Sequence, residues 1–222
     1  MKLKVSLLAA FGLALTAMGL AGFSASADGG LAPVYWFEDT VHKSGTEVSG
    51  SFSTLVRTSD GVTASIATSA LLPGHAYSVW WVVFNNPSLC NQDGCGVDDV
   101  GAALGSGTNP AAIGVLRAGG AATGADGKLS VGASLQEGFA GGCQTSVPFA
   151  GLCTVLVDST KAEIHIVLHD HGPVIAGMLN EQVGTFEGGC KNFIDGQNGM
   201  ERVPYGLGSY ECFSPQASPH TP

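Results

Sequence analysis

Charge is scarce in this chain, and positive charge scarcest. Only 12% of its 222 residues are Asp, Glu, Lys or Arg, and nine Lys and Arg stand against eighteen Asp and Glu. Without a basic face a protein can neither release counterions from DNA or RNA nor settle on anionic lipid, so nucleic acid and peripheral membrane partners are excluded. No long apolar run follows residue 20, which leaves no second candidate for a membrane span. No segment carries the 3.6-residue period of a helix, and no internal repeat or linker-like stretch interrupts the chain. Catalytic signatures are missing too: there is no Gly-x-Ser-x-Gly elbow, no phosphate-cradling glycine loop and no odd cysteine left as a nucleophile. A non-enzymatic role is favoured over catalysis, and no side chain is assigned as catalytic.

What is present is turn chemistry and alternation. The 33 glycines of 222 residues are about twice the usual ~7%. In residues 46–58, Val48, Gly50, Phe52, Thr54 and Val56 share one parity while Glu47, Ser49, Ser51, Ser53 and Arg57 share the other, the mark of a half-buried strand. Ser59-Asp60-Gly61 then signals a hairpin into Val62, Ala64 and Ile66. Residues 75–84 are apolar on both parities, so this strand is covered on both faces or displays aromatic surface for a purpose. Residues 85–110 read as a long Gly-rich loop. Strand signals resume at residues 113–117 and 129–135, and residues 152–157 and 162–169 read as a hairpin around Asp158. The expected fold is an all-β, single-domain antiparallel β-sandwich, immunoglobulin-like or superoxide-dismutase-like, with long Gly-rich loops.

Residues 1–27 have the parts of a secretory signal: Lys2 and Lys4, an apolar run, and Ala25-Ser26-Ala27. Its removal takes away two lysines and no acid, leaving 195 residues with a formal charge of −11. The expected division is a signal peptide over 1–27, an N-terminal extension over 28–44, the β-sandwich over 45–212 and a disordered tail over 213–222. A secreted or periplasmic location follows, with no membrane attachment after cleavage. Cys90, Cys95, Cys143, Cys153, Cys190 and Cys212 then read as three disulfides. Fifteen connectivities are open, and spacing favours consecutive pairs. A zinc knuckle is the alternative, but no two cysteines have its two-residue separation.

Two segments carry a resemblance. Leu72-Pro73-Gly74-His75-Ala76-Tyr77-Ser78-Val79-Trp80-Trp81-Val82-Val83-Phe84-Asn85-Asn86-Pro87, followed by Cys90 and Cys95, is the first. The second is Ala162-Glu163-Ile164-His165-Ile166-Val167-Leu168, ending at His171-Gly172-Pro173. Together they resemble, over roughly residues 45–190, a group of exported bacterial proteins without an assigned function. More distantly, the hairpin-rich layout with its late Ile-His strand is similar to CHRD domains, which implies a superoxide-dismutase-like sandwich. Glu163-Ile164-His165 stands where those domains have paired histidines, so the resemblance implies a fold and no ligands.

The histidine strand is the sharpest chemical feature. His165, Val167, His169 and His171 share a parity. A four-residue offset spans ~13 Å and a two-residue offset ~6.6 Å, so His169 and His171 can chelate one ion and His165 cannot join them. Copper or zinc would require a third ligand, with His75, His42 or a loop acid as candidates. The plainer expectation is that these imidazoles lie on a solvated face or pair with Glu163 or Asp170, and no cofactor is expected. Asp93, Asp98 and Asp99 read as turn caps beside a disulfide rather than as calcium ligands. Trp80 and Trp81 point to opposite faces, one into the core and the other toward a cover or a stacked sugar. The functional expectation is a binding or envelope-associated structural role toward a small molecule, glycan or envelope protein. Copper or zinc binding through His169 and His171, with redox chemistry as an extension, is the alternative.

Overall fold

A computed structural model describes residues 29–37, 45–91, 94–143, 149, 151–190, 210 and 212–222. The expected signal peptide, His42 and Asp93 lie outside the described residues. Among the described residues eight strands are formed: β1 (Gly29–Trp36), β2 (Glu47–Thr58), β3 (Gly61–Thr68), β4 (His75–Phe84), β5 (Ile113–Ala122), β6 (Leu129–Gln136), β7 (Glu163–Pro173) and β8 (Phe213–His220). They make one antiparallel sheet in the order β5-β4-β7-β8-β1-β2-β3-β6. The two edge strands, β5 and β6, lie against each other. The sheet therefore curls over a shared apolar face, and its two walls supply the two layers of a sandwich without a break between them. The class is all-β and single-domain.

On β3, β4 and β7 the alternations seen in the sequence set which side chains enter. On β2 the expected apolar side turns outward: Phe52 is 44% exposed, while Ser51, Ser53, Leu55 and Arg57 of the opposite parity are buried. It does so because the inward Ser53 and Arg57 find hydrogen-bond partners in Ser218, His220 and the Ala162 carbonyl. Leu55 on β2, Val62, Ala64 and Ile66 on β3, Val79, Trp81 and Val83 on β4, and Ile164, Ile166 and Leu168 on β7 form the enclosed core. The opposite parity of β4 is also covered. Trp80 and Phe84 join Ile113, Val115, Leu152 and Cys95 in a second cluster, beneath a helix, α1 (Val97–Ser106). Trp80 and Trp81 are each 1% exposed, so both parities of this strand are buried and neither indole is a platform for a ligand.

Three expectations about chain layout change. Residues 28–44 are not a mere extension, because β1 pairs with β2 from Gly29↔Val56 to Tyr35↔Glu47. Residues 213–222 are not a disordered tail. β8 lies between β7 and β1, with Ile164↔His220 and Val167↔Ala217 on one side and Tyr35↔Ala217 on the other. Pro215 and Pro219 argue against a central strand, yet they share a ladder side. The Pro215 carbonyl accepts from Phe37 N, so by alternation both missing N–H groups face β1, where the register is only two residues long. The polar parity of β8 turns inward and is satisfied there. Gln216 Oε1 accepts from Thr68 at 2.5 Å, Ser218 and His220 each meet Ser53 Oγ at 2.6 Å, and Ser218 Oγ donates to the Pro33 carbonyl.

The long loop after β4 also holds structure that periodicity missed. It contains a 3-10 turn at Pro87–Leu89 and the ten residues of α1, whose Gly and Ala content hides an apolar stripe. Residues 152–157 are not a strand. They make an isolated bridge, Gly114↔Cys153, and their backbone is held by Asn85, which donates to Val155 O and accepts from Val157 N. No helix among the described residues is long and apolar enough to cross a membrane.

Candidate metal centre

The outer face of β4 and β7 carries the site. Ser78 is registered opposite His169 and Trp80 opposite Val167, so Ser78, Trp80, His165, His169 and His171 share that face. Residues 174–190 fold over it, including a short helix, α2 (Leu179–Gln182). Gln182 Nε2 donates to the carbonyls of His171 and Pro173, and Arg117 Nε donates to Val183 O. The close approach depends on glycine: a Cβ at Gly120 on β5 would sit 2.8 Å from both Tyr77 O and Val183 Cβ. The cover puts Phe186 on the ring of His169 at 3.8 Å, with a 23° interplanar angle.

The histidines are consequently buried, at 3% exposure for His169 and 1% for His171, and the expected solvated face is replaced by a dry one. Burial holds both imidazoles below their ordinary range. For His169 the neighbouring His171 adds to the depression, against a smaller opposing pull from the Phe186 backbone. His171 falls to about 4, chiefly through burial, although the Gly188 carbonyl and Asp170 pull it upward. Neutral imidazoles keep a lone pair for a metal.

Their hydrogen bonds differ. His171 Nδ1 lies 2.7 Å from Gly188 O, an acceptor only, so Nδ1 carries the proton. His171 Nε2 then accepts from Ser78 Oγ at 2.6 Å, and that hydroxyl accepts from Trp80 Nε1 at 2.6 Å. His169 Nδ1 meets Ser214 Oγ at 3.1 Å, but its Nε2 has no hydrogen-bond partner among the described residues. A buried polar atom left so costs about 1–3 kcal/mol.

Two sulfurs complete the group. Cys190 is bonded to Cys212, as Cys90 is to Cys95 and Cys143 to Cys153, the scheme that spacing favours. One ligand atom from each of His169, His171, Cys190 and Cys212 lies within 4.8 Å of the others. The histidine pair was legible from parity alone, whereas its sulfur neighbours were not. Recognising β8 would have exposed them, because Phe213 is registered opposite Asp170, which places Cys212 beside His171.

The other candidates are accounted for elsewhere. His75 Nδ1 turns to Asp170 at 3.0 Å and is no ligand partner for the pair. The buried Asp170 carboxylate also accepts from Tyr77, Tyr210 and Gly172 N, and burial together with that carboxylate raises both phenols above their ordinary range. His165 Nε2 pairs with Glu163 at 2.7 Å. Asp99 accepts from Asn91 and from Gly96 N at the start of α1, the capping role expected of this loop. The Ser78–His171 pair has the atoms of a nucleophile and base. Both are buried, however, and the third partner is a carbonyl rather than a carboxylate, so the arrangement does not make a triad. No family model, curated protein or solved structure matches the chain, and its chemistry is read from this geometry.

Proposed function

We propose that the protein is an exported, non-catalytic transition-metal-binding protein with His169 and His171 as its imidazole ligands. The observation that carries this reading is the Nε2 of His169, buried without a hydrogen-bond partner among the described residues and gathered with His171 and two sulfurs. Three disulfides fit an oxidising compartment and support export. The dry aromatic surround of Phe186 and Trp80 strengthens ion–ligand attraction by excluding water. A role as a glycan or small-molecule binder has less behind it, because neither Trp80 nor Trp81 reaches the surface. Titration of the purified, tag-free full chain with Zn2+ and Cu2+, as isolated and after reduction, tests the reading. One equivalent is expected to bind, lost in His169→Phe and His171→Ala and retained in His165→Ala. Absence of stoichiometric binding in both redox states would end it.

A further inference from the structure

Resting on that reading, we propose that the Cys190–Cys212 disulfide is a redox latch. When it is reduced, its two thiolates join His169 and His171 in a four-ligand N2S2 site for a d10 cation, Zn2+ or Cu+. Four features point to this.

The donor set is the first: two imidazoles and two sulfurs already gathered within 4.8 Å. In a tetrahedral site with bonds of ~2.0–2.3 Å, ligand atoms stand about 3.3–3.8 Å apart. Closing the group around an ion therefore takes side-chain adjustment and no rebuilding of the strands. Orientation is the second. The imidazoles are buried on rigid β7, while Cys190 and Cys212 are half-buried at the margin, so a small dithiol meets sulfur before it meets the core.

The third is the surround of Cys190, whose Sγ lies 3.7 Å from the carbonyl oxygens of both Phe186 and Gly188. Two carbonyl dipoles oppose a bare thiolate, so the reduced pair is held as thiols donating to them or as thiolates neutralised by a cation. The fourth is His169 Nε2, buried without a hydrogen-bond partner of ordinary geometry among the described residues.

The chemistry balances. A dithiol reductant gives two electrons and two protons to the two Sγ atoms; the S–S bond breaks and the reductant closes to its own disulfide. Metal binding then releases both thiol protons to solvent. Ligation by His171 takes the Nε2 lone pair from Ser78, or moves the ring proton from Nδ1 to Nε2, where Ser78 Oγ accepts it.

The test is an anaerobic titration of the full chain with Zn2+, Cu+ and, as a spectroscopic stand-in, Co2+, before and after reduction by excess dithiol. Reduction is expected to tighten Zn2+ and Cu+ binding by about a hundred-fold or more, as two thiolates join the donor set. The reduced Co2+ form should show a thiolate-to-cobalt charge-transfer band, absent in His169→Phe, which fills the same space against Phe186. Alkylation mapping of the wild-type chain supplies a readout free of folding defects: bound Zn2+ should shield Cys190 and Cys212 and leave the other four cysteines open. Equal affinity in both redox states, or shielding of any other pair, overturns the latch while leaving metal binding by the histidines standing. Failure of both states to bind overturns both.

Discussion

The two faces of β4 are packed by opposite strategies. On its inner face, Val79, Trp81 and Val83 meet the apolar residues of the other strands, and regular ladders supply the backbone bonds. On its outer face, Trp80 and Ser78 lie under segments with little regular structure, and these are joined by hydrogen bonds from Gln182 and Arg117. Every cysteine lies outside the named strands. The inner face of β4 is held by burial, which needs no particular atom, whereas its outer face, like the inward polar side of β8, is held by specific polar groups, and there by covalent links as well. Reactive side chains collect where the packing already depends on specific atoms.

That contrast can be broken most sharply by truncating the paired indoles. Trp81→Ala should cost about 3–5 kcal/mol and unfold the chain as a unit, whereas Trp80→Phe should cost less, keeping a ring in the second cluster while losing part of its volume and the indole donor to Ser78. Urea denaturation followed by circular dichroism checks both, and equal losses would erase the distinction. Next in size is Cys190→Ser with Cys212→Ser. The bridged residues are 22 apart in sequence, and removing such a link should cost about 3 kcal/mol in the chain-entropy model. Native-state hydrogen exchange should show protection lost over residues 174–190 and kept on β2 and β3; uniform loss would mean that the layers unfold together.

Acid provides a third comparison, this time inside the curled sheet. His220 is held at about 4 by burial, by the Arg57 charge and by His165, against ~6.5 in an unfolded chain. Above the unfolded value neither state takes a proton. Between about 6.5 and about 4 only the unfolded chain does, so stability should fall as pH falls through this window and level off below it. Denaturation midpoints at pH 7 and pH 5 should therefore differ, and His220→Gln should narrow the gap; no change in the gap would assign acid sensitivity elsewhere. The smallest expected effect is Asp99→Ala at the start of α1. Loss of this N3 contact to the Gly96 N–H should cost about 1 kcal/mol and leave the sheet intact, as read by unfolding midpoint and hydrogen exchange on β3.

How much of this was legible follows from the same division. Strand β3 and the burial of both faces of β4 could be read because one side of an apolar pattern was in the sequence itself. β2 was legible as a strand, but its inward side was not, since Ser53 and Arg57 are buried on hydrogen bonds that only the folded chain supplies. The shared parity of His169 and His171 was readable for the same reason. β8 was not, since Ser214, Gln216 and Ser218 gave polar alternation where a hydrophobic one was sought, and two prolines contradicted a central position. Their compatibility depends on a partner strand about 180 residues away (Trp36↔Gln216), which no local window contains. α1 was hidden by glycine, and the sulfur half of the metal centre by the missing β8. The expected solvated histidines failed on a tertiary fact: residues 174–190, unremarkable in pattern, cover them.

The placement of β8 has a consequence for how the molecule assembles. β2 and β3 can zip from their own turn, and β4, β5 and β7 can gather around Trp81, but β8 must slide between β7 and β1, each of which pairs with it along one side. Its partner β1 lies at the far end of the described sequence. The β1–β8 seam has the widest sequence separation of the sheet's pairings, beyond those of β4 with β7 and β3 with β6, and loop closure across it makes the largest contribution to contact order. Until it closes, β1 and β7 both present open edges, the pairing surfaces that invite a second chain. The interval before the seam closes is the fold's time of greatest exposure to aggregation.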